Sequence, residues 1–158
     1  MNRMSVGRPT EILLVEDNLE DARVTIQSLQ DEKIRCRVTL VRDGEEALSF
    51  LRREGVFSQA PRPDVILLDM ELPKKDGREV LTELRADDRL QAIPVLVLTA
   101  SAVHRAVLQA QNLRIDGFMT KPVSLEQFIQ AVKSLRRSVL EELVLPPAST
   151  LRGTVGAT

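Results

Sequence analysis

The stretch PDVILLDMELPKKDG, residues 63–77, runs four apolar side chains, Val65 to Leu68, straight into the carboxylate of Asp69. Taking a carboxylate out of water is costly, so its place at the lip of an apolar run asks for a chemical reason. Three further apolar segments also end in polar groups: 12–15 in Glu16 and Asp17, 93–98 in Thr99, and the weaker 115–121 in Lys121. Gathered on one rim, three carboxylates would repel one another, and only a cation makes that tolerable. Hard oxygen donors that leave room for water favour Mg2+. Taken singly, each residue has a plainer reading. Asp17 with Glu20 is a helix N-cap with its box partner, Glu16 a solvated strand end, and Asp69 the start of a turn toward Pro73. Thr99 suits a strand end and Lys121 a surface charge. Jointly, the plain account requires four coincidences.

The segments 12–15, 65–68 and 93–98 are too short for helices and are flanked by Pro, Asp or Thr, which predicts strands buried on both faces. In 34–40, Ile34, Cys36, Val38 and Leu40 alternate with Arg35, Arg37 and Thr39, the pattern of an edge strand with one wet face. Residues 115–121 make a fifth strand. Helical stripes lie between them: Leu19, Ala22, Ile26, Leu29; Ala47, Leu48, Leu51, ending near Gly55; Val80, Leu81, Leu84; Val103, Ala106, Val107, Ala110. The last helix opens with Ser124 and Gln127 as a capping box and carries Phe128, Val132, Leu135 and Val139 inward. Strand and helix alternating five times predict a parallel sheet wrapped on both faces. In such a sheet the working crevice lies beyond the carboxyl ends of the strands, where the four polar positions fall.

At 158 residues, 43% hydrophobic and 28% charged, the chain has the composition of one domain with a real core. The expected division is an N-terminal extension over 1–9, the domain over 10–145 and a flexible tail over 146–158, which follows Pro146-Pro147 with small polar residues. A net charge of −1 gives no global positive field for nucleic acid or an anionic membrane surface. No apolar run approaches 18 residues, and 1–11 has no apolar core of a signal peptide; the expected location is the cytoplasm. The lone Cys36 cannot form an internal disulfide, which agrees with a reducing compartment.

The segments LLVEDN, VILLDMELPKKDG, VLVLTA and FMTKP, in that order and spacing, resemble the receiver domain of two-component response regulators over 10–140. The long loop RREGVFSQAPRPD looks most like the small receivers paired with bacterial phytochromes and related sensor histidine kinases. The resemblance implies a (βα)5 doubly wound, flavodoxin-like α/β fold with a five-stranded parallel sheet of order 2-1-3-4-5. Adjacent strands are about 4.8 Å apart, so Glu16 and Asp17 fall within a shared ion's reach of Asp69. Thr99 lies on its other flank, and Lys121 reaches in from two strands away, about 10 Å. By the same resemblance Asp69 is the phosphorylation site, fed by a phosphohistidine on a sensor histidine kinase, with Mg2+ on Glu16, Asp17, Asp69 and the main-chain carbonyl of Glu71. Mg2+ and Lys121 neutralise the oxygens of the transferring group. Thr99 then swings to the phosphoryl group, Phe118 turns inward as the switch aromatic, and the face of the fourth helix, fifth strand and fifth helix changes shape. Such a protein is a switch that catalyses only its own phosphotransfer and dephosphorylation. Phe118 lacks the hydroxyl of the Tyr common there, while Glu71 and Ser101 occupy positions that tune water access.

Leu140, Leu143, Val144 and Leu145 extend the final helix with an apolar strip, which predicts a homodimer through C-terminal helices. His104 is expected on a solvent face, Cys36 in core packing, and Lys121-Pro122 is a candidate cis bond aiming the lysine. Arg136-Arg137 is too small a cluster for nucleic acid. Two rival classes remain. An aspartate-nucleophile phosphatase would carry Asp where this chain has Glu71. A phosphorylation-independent binding module would not need the intact set of Glu16, Asp17, Asp69, Thr99 and Lys121. A dinucleotide-binding site is excluded, because no G-x-G-x-x-G follows the first strand.

Overall fold

The computed structural model describes residues 8–30, 34–99 and 114–135. Five strands, β1 (Thr10–Val15), β2 (Cys36–Val41), β3 (Val65–Asp69), β4 (Val95–Thr99) and β5 (Gly117–Thr120), form one sheet. All are parallel, in the order β2-β1-β3-β4-β5, the order expected. Helices α1 (Leu19–Leu29), α2 (Gly44–Arg52), α3 (Gly77–Ala86) and α4 (Leu125–Lys133) are described, with a 3-10 turn at Gly55–Phe57. The predicted helix carrying Val103 to Ala110, with Ser101 and His104, lies outside the described residues, as do Arg136, Arg137, Val139 and the strip of Leu140, Leu143, Val144 and Leu145.

Successive strand residues point to opposite faces, and both faces are covered, which is why the central strands are continuous apolar runs. Leu13, Val15, Ile66, Leu68, Val95 and Val97 pack with Ala47, Leu51, Val80, Leu81 and Leu84 of α2 and α3. Ile12, Leu14, Val65, Leu67, Leu96 and Leu98 pack on the other side with Ala22, Leu29, Phe128 and Val132 of α1 and α4. On edge strand β2, Arg37 is exposed while Val38 and Leu40 are half-buried. Cys36 is half-buried as expected, its thiol donating to the Leu29 carbonyl at 3.4 Å. Among the described residues no helix is long and apolar enough to cross a membrane.

Three local expectations change. Leu19 is 58% exposed, because it opens α1 beyond the end of β1, where no sheet lies beneath it; the buried positions of α1 are Ala22, Thr25 and Leu29. The N-cap of α1 is Asn18, not Asp17: the Asn18 side chain accepts from the Asp21 N–H at 2.9 Å. Ser124 does cap α4, accepting from the Gln127 N–H at 3.2 Å. Gln127, however, turns its side chain to the Thr120 N–H and the Pro122 carbonyl, so it ties helix to strand and does not complete the box.

The loop after β3 is held by two helix starts. A Cβ on Gly77 would sit 2.7 Å from the Asp69 carbonyl oxygen and from Met70, and one on Gly44 would sit 2.1 Å from the Lys75 carbonyl oxygen. Only a residue without a Cβ lets α2 and α3 begin so close to the segment that follows Asp69. Capping then fixes both helices: Asp43 accepts from the Glu46 N–H, and Asp76 and Glu79 form a reciprocal capping box.

Candidate functional site

Parallel strands that end together bring their last residues to one rim. Glu16 directly follows β1, and its N–H bonds the Val41 carbonyl at the end of β2. Asp69 closes β3 opposite Leu98, and Thr99 closes β4, buried at 5% exposure. The Lys121 N–H donates to the Thr99 carbonyl at 3.1 Å, which anchors the lysine backbone beside β4. The Lys121–Pro122 bond is cis.

From there the Lys121 side chain lies across the rim. Its Nζ is 2.8 Å from Asp69 Oδ2, 2.7 Å from Glu16 Oε1 and 3.0 Å from Asp21 Oδ2. The Glu16 contact is an ion pair without hydrogen-bond alignment, so this buried oxygen has a charge beside it and no directed donor. Glu16 Oε2 accepts from the Asn18 N–H at 3.1 Å. Asp69 Oδ1 accepts from the Glu71 N–H at 3.0 Å, the turn-starting bond expected of an Asp before a loop, made by the same carboxylate that faces Lys121.

The electrostatics follow from this crowding. Burial pushes the Glu16 carboxyl up, the adjoining Asp69 carboxylate pushes further, and Lys121 and the Asn18 N–H only partly offset them; the result is about 7. Burial alone would lower the Lys121 ammonium, but the Asp69, Glu16 and Asp21 carboxylates around it hold it above its ordinary value.

The structure thus brings Glu16, Asp69 and Lys121 into contact, with Thr99 on the neighbouring strand end. Asp17 is not drawn in with them: its side chain is half exposed and lies 3.9 Å from Arg42, whose guanidinium also donates to the Asp17 carbonyl. Glu71 is exposed, two residues past Asp69. Phe118 is half-buried on β5, against the core on the α2–α3 side. Asp21, absent from the set that the sequence singles out, is the third acid on Lys121; it lies in the first turn of α1, and nothing in the sequence pattern sets it apart from Asp17.

Among the described residues no three carboxylate, histidine or cysteine side chains are grouped as a metal cage. The donor chemistry nonetheless fits a hard divalent ion. Two carboxylates meet at 1% and 11% side-chain exposure, and one oxygen of Glu16 lacks a directed donor. The half-exposed Asp17 side chain pairs with Arg42 at 3.9 Å, an interaction that contributes at most about 1 kcal/mol. Such a site can hold a small cation by oxygen, and it presents one carboxylate, Asp69, beside a fixed positive charge.

Comparison with known proteins gives the family of the chain. The family model of the response regulator receiver domain matches residues 12–133. Response regulator Rcp1 of Synechocystis sp. is 39% identical over 140 residues, 89% of this chain and 95% of that protein. The bacteriophytochrome response regulator AtBRR has a TM-score of 0.77 at 38% identity, covering 82% of this chain and 94% of its own. The phosphorylated cyanobacterial phytochrome response regulator RcpA has a TM-score of 0.70 at 41% identity, covering 89% and 100%. Rcp1 is also known in a Mn2+-bound form, with a TM-score of 0.68 at 39% identity over 88% of this chain and 100% of its own. A sheet of this order, with an acid pair and a lysine meeting at its carboxyl rim, therefore has its explanation in ancestry as well as chemistry: the chain belongs to the response regulator receiver family.

Proposed function

We propose that Asp69 is the phosphoacceptor of a signalling switch fed by a sensor histidine kinase. The observation that carries the reading is the state of Asp69: one oxygen faces Lys121 Nζ at 2.8 Å and the other is held by the Glu71 N–H. A carboxylate so fixed has a defined orientation toward an incoming phosphorus atom. In the transfer, an Asp69 oxygen forms the new P–O bond as the P–N bond to the donor imidazole breaks, and the imidazole nitrogen keeps that bond's electron pair. Lys121 places positive charge where the equatorial oxygens develop negative charge. Glu16, Asp17, Asp69 and the Glu71 carbonyl would hold Mg2+, which when bound supplies further neutralisation of those oxygens.

Output follows from the same charges. A phosphoryl group on Asp69 offers strong acceptor oxygens to the Thr99 hydroxyl on the adjacent strand end. Phe118, half-buried against the core on the α2–α3 side, is the side chain whose burial then changes. New charge-assisted hydrogen bonds contribute about 1.5–3 kcal/mol each, enough to shift a two-state balance by tenfold or more. The likeness to Rcp1, AtBRR and RcpA supports a phytochrome-linked kinase as the donor.

The test is incubation with acetyl phosphate and Mg2+, then intact mass of the wild type and of Asp69→Asn. A phosphate-sized gain in the wild type alone supports the reading, and equal labelling of both moves the acceptor elsewhere. Phosphotransfer from a purified bacteriophytochrome kinase, compared with an unrelated kinase, tests the choice of donor.

A further inference from the structure

An ammonium group has three N–H donors, and the Lys121 ammonium meets three carboxylates: Glu16, Asp69 and Asp21. The first two belong to the rim. Asp21 is different in kind. It comes from the first turn of α1, its side chain is 43% exposed, and its own N–H is taken by the Asn18 cap. An acid in a helix's first turn is favoured there by the helix dipole, so Asp21 needs no partner on the rim to be stable. Its contact with Lys121 at 3.0 Å therefore serves the lysine more than the helix.

We propose that Asp21 is a positioning residue that competes with the phosphoryl group for the Lys121 ammonium and so sets how fast Asp69 is phosphorylated. This rests on the reading of Asp69 as acceptor. When the phosphoryl group arrives on Asp69 with its negative oxygens, the Lys121 ammonium turns toward them, and its hydrogen bond to Asp21 competes with that turn. Glu16 is buried and cannot be released to water cheaply, and Asp69 is itself the group that takes up the phosphorus, whereas Asp21 is solvated and can be released. The contact with Asp21 is thus the exchangeable one, a brake that is released during transfer. Asp21 also places a negative charge near the oxygens that Lys121 serves, which opposes the incoming group. Removing the charge acts on both effects in one direction.

The test uses the full chain, acetyl phosphate and Mg2+, with initial rates of mass gain for the wild type, Asp21→Asn, Asp21→Glu and Asp69→Asn. In this reaction an Asp69 oxygen bonds to phosphorus while the P–O bond to acetate breaks and acetate leaves with the electron pair. Asp21→Asn is expected to be faster by roughly threefold to tenfold, the span between an exposed ion pair and a charged hydrogen bond. Asp21→Glu, which restores the charge, is expected to return toward the wild-type rate. The advantage of Asp21→Asn should shrink toward one in 1 M salt, where exposed charges are screened. A merely structural role predicts the opposite, a slower and less stable Asp21→Asn protein with no dependence on charge. An unchanged or slower rate in Asp21→Asn, with the wild type labelled and Asp69→Asn unlabelled, overturns this proposal alone. Equal labelling of Asp69→Asn overturns the acceptor reading and this proposal with it.

Discussion

Replacing Glu16 by Gln should make the metal-free protein more stable above neutral pH, although it removes a residue of the site. Glu16 is buried beside Asp69, and its carboxyl is raised from 4.5 to about 7. The folded protein thus holds this proton more tightly than the unfolded chain does. The part of the stability that depends on Glu16 is then greatest below pH 4.5, falls as pH rises through the window from 4.5 to 7, and levels off above it. Each tenfold gain in proton affinity corresponds to about 1.4 kcal/mol, so the whole window amounts to about 3 kcal/mol as a ceiling. Gln cannot titrate, and an imperfectly bonded amide costs about 1 kcal/mol of that gain. Urea unfolding in a chelating buffer at pH 5, 6, 7 and 8 measures it. The wild type should lose stability across the series, Glu16→Gln should stay nearly flat, and the two should diverge by about 2 kcal/mol at pH 8. Excess Mg2+ should close the gap by stabilising the wild type more. Parallel pH curves for the two proteins would refute the reasoning, because they would show that Glu16 titrates as an ordinary carboxylate.

Other consequences can be checked in the same unfolding assays. Gly77→Ala should destabilise by about 1–3 kcal/mol, since its Cβ meets backbone 2.7 Å away, and should slow phosphorylation because the atom it meets belongs to Asp69. Asp64 is raised by burial but held below its ordinary value overall by the Arg8 guanidinium, the Glu11 N–H and the Arg62 charge. Its contribution is present above pH 3.8 and is lost as pH falls below it, so Asp64→Asn should cost about 1–2 kcal/mol at pH 7 and progressively less below pH 4. Lys121→Met leaves Glu16 and Asp69 facing each other; its deficit in urea unfolding should be larger at pH 8 than at pH 6, where a proton on Glu16 replaces the lost ammonium.

Much of the architecture was legible because the central strands carry their burial in their composition. Val65 to Leu68 and Val95 to Leu98 are apolar at every position because helices cover both faces, and β2 alternates because its edge position leaves one face wet. The rim residues Glu16, Asp69, Thr99 and Lys121 were legible for the same reason, since each interrupts an apolar segment at its carboxyl end. What escaped is what depends on side-chain direction. Asp17 and Asp21 are alike in type and only one turn apart, yet Asp21 meets Lys121 while Asp17 faces Arg42, and no periodicity distinguishes them. Leu19 fits the stripe of α1 by spacing but not by depth, because the sheet has ended beneath it. The role of Gly44 and Gly77 was hidden too: a glycine that opens a helix carries no mark of what passes beside it.

The most direct test of the central claim is to locate the acyl phosphate itself. After phosphorylation with acetyl phosphate and Mg2+, sodium borohydride reduces an aspartyl phosphate to homoserine, which peptide mass mapping assigns to a single position. The account predicts homoserine at residue 69 and an unmodified Glu16 and Asp17. Homoserine at position 17, or phosphate retained on Thr99, would contradict it.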